Sequence, residues 1–171
     1  MDFDDEHPQE ETEVGSDELL SDDNLRLPDS ANPLVRLHAI RAWLTRRQKE
    51  TYLEMGMLAL DLQQLQIENQ SEVRLRRREL QARQDHLHSL QERFQSTQQL
   101  LSTYEEAERL LEDCVNHTTV SERLLVEYYL TMEALAQEVM QEHEDEQSPR
   151  LTALSDVLHR IEQVGAPHEE D

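Results

Sequence analysis

The sequence predicts an all-α protein built around one long coiled-coil helix, and three observations support this prediction. The 171 residues include only three glycines and five prolines, so long stretches lack the residues that interrupt helices. Hydrophobic residues make up 36% of the chain, aromatic residues 4% and charged residues 32%, a composition that disfavours a thick globular core. Apolar residues also recur at intervals of three and four, the spacing of amphipathic helices.

The composition of residues 1–30 predicts a disordered acidic tail. They contain twelve acidic residues and a single arginine, which leaves too little apolar surface to offset the entropy lost on ordering. Two small apolar groups interrupt the acidic sequence, at Leu19-Leu20 and at Leu25 with Leu27. They indicate either a linear interaction motif or part of a solvated tail.

A long coiled-coil helix is predicted over residues 31–115. Asn32 can accept hydrogen bonds from the free amides at the beginning of a helix, and Pro33 suits the first helical position. No further proline occurs before Pro149. A continuous helix of this length would extend over about 120 Å, which is incompatible with a compact domain.

The apolar residues of this helix fall into two coiled-coil phases. The first phase runs from Met55 to Asn69 in steps of three and four, and the second continues from Val73 in steps of seven. Two successive steps of four at Asn69 form a stutter, which shifts the seam between helices. We expect the second phase to associate with another chain through Leu80, Leu87, Leu90, Phe94 and Leu101.

Two shorter helices are predicted to follow. Residues 116–146 form a second helix with an acidic end, which begins at the capping-box pair Thr119 and Glu122. Residues 147–171 comprise a third short helix, which ends at Gly165, and a disordered C-terminus. Because these helices could cover only about half of the long one, we expect another chain to cover the remainder, in a homo-oligomer or a hetero-oligomer.

The sequence contains no pattern that indicates catalysis or cofactor binding. Glycine is too scarce for a loop that holds phosphates. Cys114 with His117, and His86 with His88, have spacings seen in metal sites, but neither pair supplies the four ligands of structural zinc. Adjacent carboxylates are common, yet helical rods lack the desolvated pocket that separates their pKa values. We expect no enzyme activity, cofactor, metal or small-molecule substrate.

Charge and hydropathy favour protein partners. The net charge of −22 repels nucleic acids and anionic membranes, and no apolar stretch approaches the roughly 20 residues of a membrane span. The lone cysteine cannot form an internal disulfide, and the acidic N-terminus does not resemble a secretory signal. We therefore expect a soluble cytoplasmic protein.

Two features are candidate partner-binding sites besides the seam. An arginine cluster could pair with an external acidic surface, with nucleic acid or with the chain's own acidic segments, or it could be a solvated helix face; its residues are Arg74, Arg76, Arg77 and Arg78. Trp43 stands among leucines near the beginning of the long helix. If it is exposed it predicts a docking face, which we favour, and if it is packed it closes the end of a helical bundle.

The order of landmarks resembles a family of ciliary and flagellar coiled-coil proteins built on one domain of unknown function. The resemblance covers about residues 46–140 and depends on LQIENQ at 65–70 followed by Arg74 and Arg76, YEEAERLLEDCV at 104–115, and LLVEY at 124–128 followed by Met132. It implies a structural part of the axoneme, basal body or sperm flagellum without catalysis.

These observations together predict a non-enzymatic coiled-coil adaptor or structural subunit of a cytoskeletal assembly in a cilium, flagellum or centrosome. Its expected partners are other coiled-coil proteins or further copies of itself. Two alternatives remain at this point. One is a subunit of a nuclear or chromosome-associated coiled-coil complex, and the other is a subunit of a trafficking or tethering complex.

Overall fold

The computed structural model describes residues 16–71, 74–142 and 148–165, and this part of the chain contains five helices and no strand. The predicted all-α fold is therefore confirmed for the described residues. The helices are α1 (Ser16–Leu20), α2 (Pro33–Gln70), α3 (Arg77–His117), α4 (Glu122–Glu142) and α5 (Pro149–Gln163).

The prediction of one continuous helix over residues 31–115 is wrong. Its beginning is confirmed, because the Asn32 side chain accepts a hydrogen bond of 2.9 Å from the amide of Val35. However, α2 ends at Gln70, and α3 begins at Arg77 and returns alongside it. The apolar stripe of α2 is therefore covered mainly by α3 of the same chain, so the argument that another chain must cover it no longer holds.

Ion pairs along the two helices show that they run antiparallel. Near the beginning of α2, Arg41 Nε lies 2.6 Å from Glu112 Oε1 near the end of α3. Farther along α2, Arg93 Nη2 lies 3.9 Å from Glu54 Oε1. As the residue number increases along α2, the residue number of its contact on α3 decreases, which is the pattern of an αα-hairpin.

Side chains support the turn between α2 and α3 on both sides. The Ser71 hydroxyl donates to the carbonyl of Glu68 at 2.7 Å, where α2 ends. On the other side, the backbone amide of Arg76 donates to the Glu79 carboxylate at 3.0 Å, satisfying a free amide at the beginning of α3. The turn coincides with the change of apolar phase near Asn69, so the change marks a chain reversal rather than a stutter.

The main core is a bundle formed by one end of the hairpin together with α4 and α5. From α2 it takes residues up to Leu44, and from α3 it takes residues from Leu100 onward. Most of the remaining core comes from the apolar faces of α4 and α5, including Tyr128 and Leu154, which are fully buried.

α4 and α5 lie within the predicted second and third segments. Gly165 has a φ of 74°, which suits a glycine that ends a helix.

The prediction of disorder throughout residues 1–30 is wrong for residues 16–30, whereas residues 1–15 lie outside the described residues. We call residues 16–31 the N-terminal strap. Leu20, Leu25 and Leu27 pack against the bundle core, whereas Leu19 is 65% exposed. Three of the four leucines within the acidic sequence therefore dock on the chain itself. The predicted disordered C-terminus, residues 166–171, also lies outside the described residues.

Two buried arginines hold the strap in place. Arg36 of α2 donates to the backbone carbonyls of Pro28 and Asp29 in the strap. The same guanidinium group donates to the carbonyls of Val164 and Gly165, which directly follow α5. Arg160 of α5 donates to two further strap carbonyls, at 2.5 and 2.6 Å. Buried carbonyls need such partners, and a guanidinium group supplies several donors at once.

Beyond the bundle, the hairpin continues as a two-helix arm. We define the arm as residues 52–70 of α2 and 77–97 of α3. Its separate small core contains Leu58, Leu65 and Leu90 as buried apolar residues. With 19 residues of α2, the arm is about 28 Å long.

Candidate interaction surface

The arm exposes a second apolar stripe on α2, on a different face from the one that packs against α3. Steps of four, three and seven residues separate its members, which keeps them on one helix face. The stripe consists of Leu53, Met57, Leu60 and Ile67, and each of these side chains is between 62% and 68% exposed. We call this set the outer stripe.

The outer stripe and the α3-facing stripe have the same period but a different phase. Leu58 and Leu65 face α3 and are buried, whereas Leu60 and Ile67, two residues later in each case, are exposed. Two residues correspond to about 200° around a helix. This part of α2 therefore presents apolar residues on opposite sides, and the described part of the chain covers only one of these sides.

The two edges of the outer stripe differ in charge. Glu54, Asp61 and Glu68 are exposed along one edge and are separated by seven residues, so they form a row parallel to the stripe. Exposed uncharged residues, among them Gly56 and Gln63, occupy the other edge. The stripe is thus apolar in the middle, acidic along one side and neutral along the other.

Arginines concentrate at the end of the arm. Arg74 and Arg76 belong to the turn, Arg77 and Arg78 begin α3, and all four are exposed. We call these four residues the arginine tip. Within the described part of the chain, no carboxylate forms an ion pair with any of them. The predicted cluster therefore lies at the end of a projection from an acidic molecule, and its acidic contact remains a prediction.

The preferred prediction that Trp43 is an exposed docking residue is wrong. The side chain is only 4% exposed, and its indole N–H donates to the Asp23 carboxylate of the N-terminal strap at 2.8 Å. The ring also makes an edge-to-face contact with Tyr104, with the ring centroids 6.0 Å apart. Trp43 closes the end of the bundle, which is the alternative that the sequence left open.

The residues predicted to form a seam between chains lie in different environments. Leu87, Leu90 and Phe94 pack with Leu58 and Leu65 of the same chain in the arm core. The predicted seam is therefore intramolecular at these three positions, because α3 folds back on α2.

The remaining two predicted seam residues lie outside this small core. Leu80 is 48% exposed near the tip. Leu101 is half-buried and, with Tyr52 and Leu53, lines a shallow groove of about 410 Å³ between the helices. This groove adjoins the base of the outer stripe and continues its apolar surface.

One polar cluster lies between α2, α3 and α5. The Tyr104 hydroxyl donates to the Asp156 carboxylate at 2.9 Å, and Arg47 Nη2 lies 3.3 Å from both side chains. Burial, reinforced by the charge of Asp156, raises the pKa of Tyr104 to about 12. The phenol therefore stays protonated at neutral pH and serves as a hydrogen-bond donor that ties the helices together.

The described residues give no indication of a metal site or of a membrane-spanning helix. Nowhere among them do three histidine, cysteine or carboxylate side chains come together as ligands for an ion. None of the described helices combines the length and the apolar character that crossing a membrane requires.

The outer stripe is not among the features predicted from the sequence, because those predictions give each helical segment a single apolar seam. Its signal is nevertheless present, since Leu53, Met57, Leu60 and Ile67 have coiled-coil spacing with an offset of two residues from the first phase. No protein-family model, curated protein or solved structure matches the chain. The resemblance to ciliary and flagellar coiled-coil proteins therefore stays a prediction from the sequence.

Proposed function

We propose that the protein is a non-enzymatic adaptor or structural subunit that acts by helix–helix association, with the bundle as its base and the arm as its docking element. Each part has a separate role in this proposal. The bundle holds the hairpin in a fixed orientation, and the arm carries the outer stripe and the arginine tip away from the acidic body. The sequence resemblance alone favours a cytoskeletal assembly of the cilium, flagellum or centrosome.

The outer stripe is the observation that carries this proposal. Four large apolar side chains stand in water along one helix face, although burial of each methylene group is worth about 0.8 kcal/mol. Large apolar side chains exposed together along one face are typical of sites that bind proteins. A helix that lies along the arm would cover it and complete a three-helix coiled coil.

A charge placed in the outer stripe tests the proposal. We expect Leu60→Asp, in the full-length tagged chain expressed in ciliated cells, to lose its specific partners in proximity labelling followed by mass spectrometry. Gln66→Asp is the matched control, because it adds the same charge at an exposed position of the same helix outside the stripe. The same set of partners for the wild type and both variants would contradict the proposal.

Localisation of the tagged chain tests the kind of assembly separately. Signal at cilia or centrosomes that is lost in Leu60→Asp supports a cytoskeletal subunit. Signal at chromatin would instead favour a nuclear complex, and signal on vesicles a tethering complex. Either of these outcomes would leave the adaptor role in place and overturn the cytoskeletal part.

A further inference from the structure

We propose that the outer stripe binds one α-helix of another protein whose apolar seam is flanked by lysine or arginine. This inference rests on the proposed adaptor function and adds the chemistry of the partner. It follows from the charges that border the stripe, in addition to the apolar residues within it.

The acidic edge selects the charge of the partner. In helices packed side by side, the residues that border the apolar seam lie opposite the bordering residues of the neighbour. Glu54, Asp61 and Glu68 are exposed along that border over two heptads. Among the described residues, Glu54 has one ion pair, at 3.9 Å from Arg93, and the Glu68 carboxylate accepts from Gln64 at 3.2 Å. The carboxylates thus retain acceptor capacity for cations on an incoming helix.

The same charges oppose a second copy of this chain as the occupant. In an antiparallel pair of copies, the two acidic edges would lie side by side, and like charges in these positions are destabilising. In a parallel pair, the two arginine tips would be adjacent and would repel each other. The two bundles would also be adjacent, and they belong to chains that each carry a net charge of −22. Neither orientation therefore gives a favourable pattern of charges, whereas a basic-flanked helix complements the edge directly.

The charges at the ends of the stripe predict the rest of the partner's pattern. Lys49 lies just before the stripe and is exposed, and the arginine tip lies just after it. The surface therefore changes from acidic along the stripe on α2 to basic at the turn and the beginning of α3. A complementary helix carries its basic residues in the middle, opposite the acidic edge, and acidic residues at the end that passes the tip.

Two synthetic helical peptides test this inference against the full-length chain. Both peptides have the same length and the same leucine and isoleucine seam, with lysine at the flanking positions in one and glutamate in the other. Each is used at a concentration at which it is monomeric by sedimentation. Titration calorimetry then measures the affinity of each peptide for the wild type, for Leu60→Asp and for the triple variant Glu54→Lys/Asp61→Lys/Glu68→Lys.

We expect the wild type to bind the lysine-flanked peptide about tenfold more tightly than the glutamate-flanked one, from three ion pairs of ordinary strength. The triple variant should reverse this preference, and Leu60→Asp should weaken binding of both peptides. Equal affinity of the wild type for the two peptides, an unchanged preference in the triple variant, or no binding of either peptide would overturn the inference.

The two proposals fail in distinguishable ways. Suppose that the triple variant retains the cellular partners that Leu60→Asp loses. The adaptor function would then stand, and the assignment of a basic-flanked partner would be wrong. Retention of all partners by Leu60→Asp would instead contradict the adaptor function itself. Circular dichroism of each variant verifies that its helical content equals that of the wild type, so loss of binding is not caused by loss of folding.

Discussion

The bundle and the arm share the helices α2 and α3, yet they bury very different amounts of apolar surface. Among the described residues, the bundle core contains 19 buried apolar residues, whereas the arm core contains three. In the bundle, α2 and α3 have α4 and α5 beside them. In the arm, the described residues give α2 and α3 only each other as neighbours, so the face of α2 that carries the outer stripe is exposed.

This difference indicates separate roles for packing in the two regions. The bundle has enough core to fix its helices, because buried apolar area is the main favourable contribution to folding. The arm has little core of its own, and regions with few buried contacts open at lower free energy than the rest of a protein. We therefore expect the arm to be the less stable region and to gain stability when a partner helix covers the outer stripe.

The largest expected effect comes from truncation of matched leucines in the two regions. Leu154→Ala removes a fully buried side chain from the bundle and should lower the free energy of unfolding by about 2–5 kcal/mol. Leu90→Ala removes a leucine that is 4% exposed in the arm and should lower it less, since the thin arm core can relax around the change. Urea denaturation followed by circular dichroism measures both. Equal losses would mean that the arm is as well packed as the bundle.

Removal of the Arg36 side chain should have the next largest effect. Arg36→Met keeps the apolar stem but removes the donor to the carbonyls of Asp29 and Gly165, and one of the two donors to the carbonyl of Pro28. Hydrogen bonds to charged groups contribute about 1.5–3 kcal/mol, so the strap should detach before the bundle unfolds. Limited proteolysis between residues 16 and 31 measures this detachment. Arg26→Met is the control, because Arg26 is an exposed residue of the strap, and equal cleavage of both variants would contradict the role of Arg36.

A smaller effect is expected at high pH, and Tyr104 in the bundle contributes to it. Because burial raises the pKa of Tyr104 to about 12, the unfolded chain releases this proton near pH 10 whereas the folded chain retains it. Stability that is present below pH 10 should therefore fall as the pH rises toward 12, by up to about 1.4 kcal/mol per pH unit. Tyr104→Phe should make this decline shallower than in the wild type. Denaturation midpoints from pH 7 to pH 12 measure the slopes, and identical slopes would contradict the assignment.

The smallest effect on stability is expected from the outer stripe. Leu60 is 66% exposed, so Leu60→Asp should change the free energy of unfolding by no more than about 0.5 kcal/mol, as is usual for surface substitutions. Thermal denaturation of this variant beside the wild type measures the change. A loss as large as that of Leu154→Ala would mean that the stripe is covered within the protein.

Local signals in the sequence predicted much of the secondary structure. Asn32 and Pro33 marked the beginning of α2, and Gly165 marked the end of α5, because caps and stops depend on neighbouring residues. The hairpin was not predicted, since its formation depends on pairs distant in sequence, such as Arg41 with Glu112. The change of phase at Asn69 is compatible with either a stutter or a turn, and only these distant contacts distinguish the two.

The candidate site was less predictable than the helices. The arginine tip could be named from the sequence, but its place at the end of the arm depends on the chain reversal. Trp43 was assigned to a docking face because its cover, the strap that includes Asp23, lies within a segment whose composition predicts disorder. The outer stripe is identifiable as an uncovered face only because α3 covers the opposite face of α2.

The most direct test of the hairpin is a distance between α2 and α3 in solution. Spin labels on Glu54→Cys/Arg93→Cys, in a Cys114→Ser background, are followed by electron paramagnetic resonance after dilution with excess unlabelled chain. Line broadening reports a short distance between the labels, and double electron–electron resonance reports a long one. We expect a short distance that does not change on dilution, because the two native side chains lie within 3.9 Å of each other in one chain. A continuous helix would instead separate the labels by about 58 Å. That distance, or a short distance that disappears on dilution, would contradict a hairpin formed within one chain.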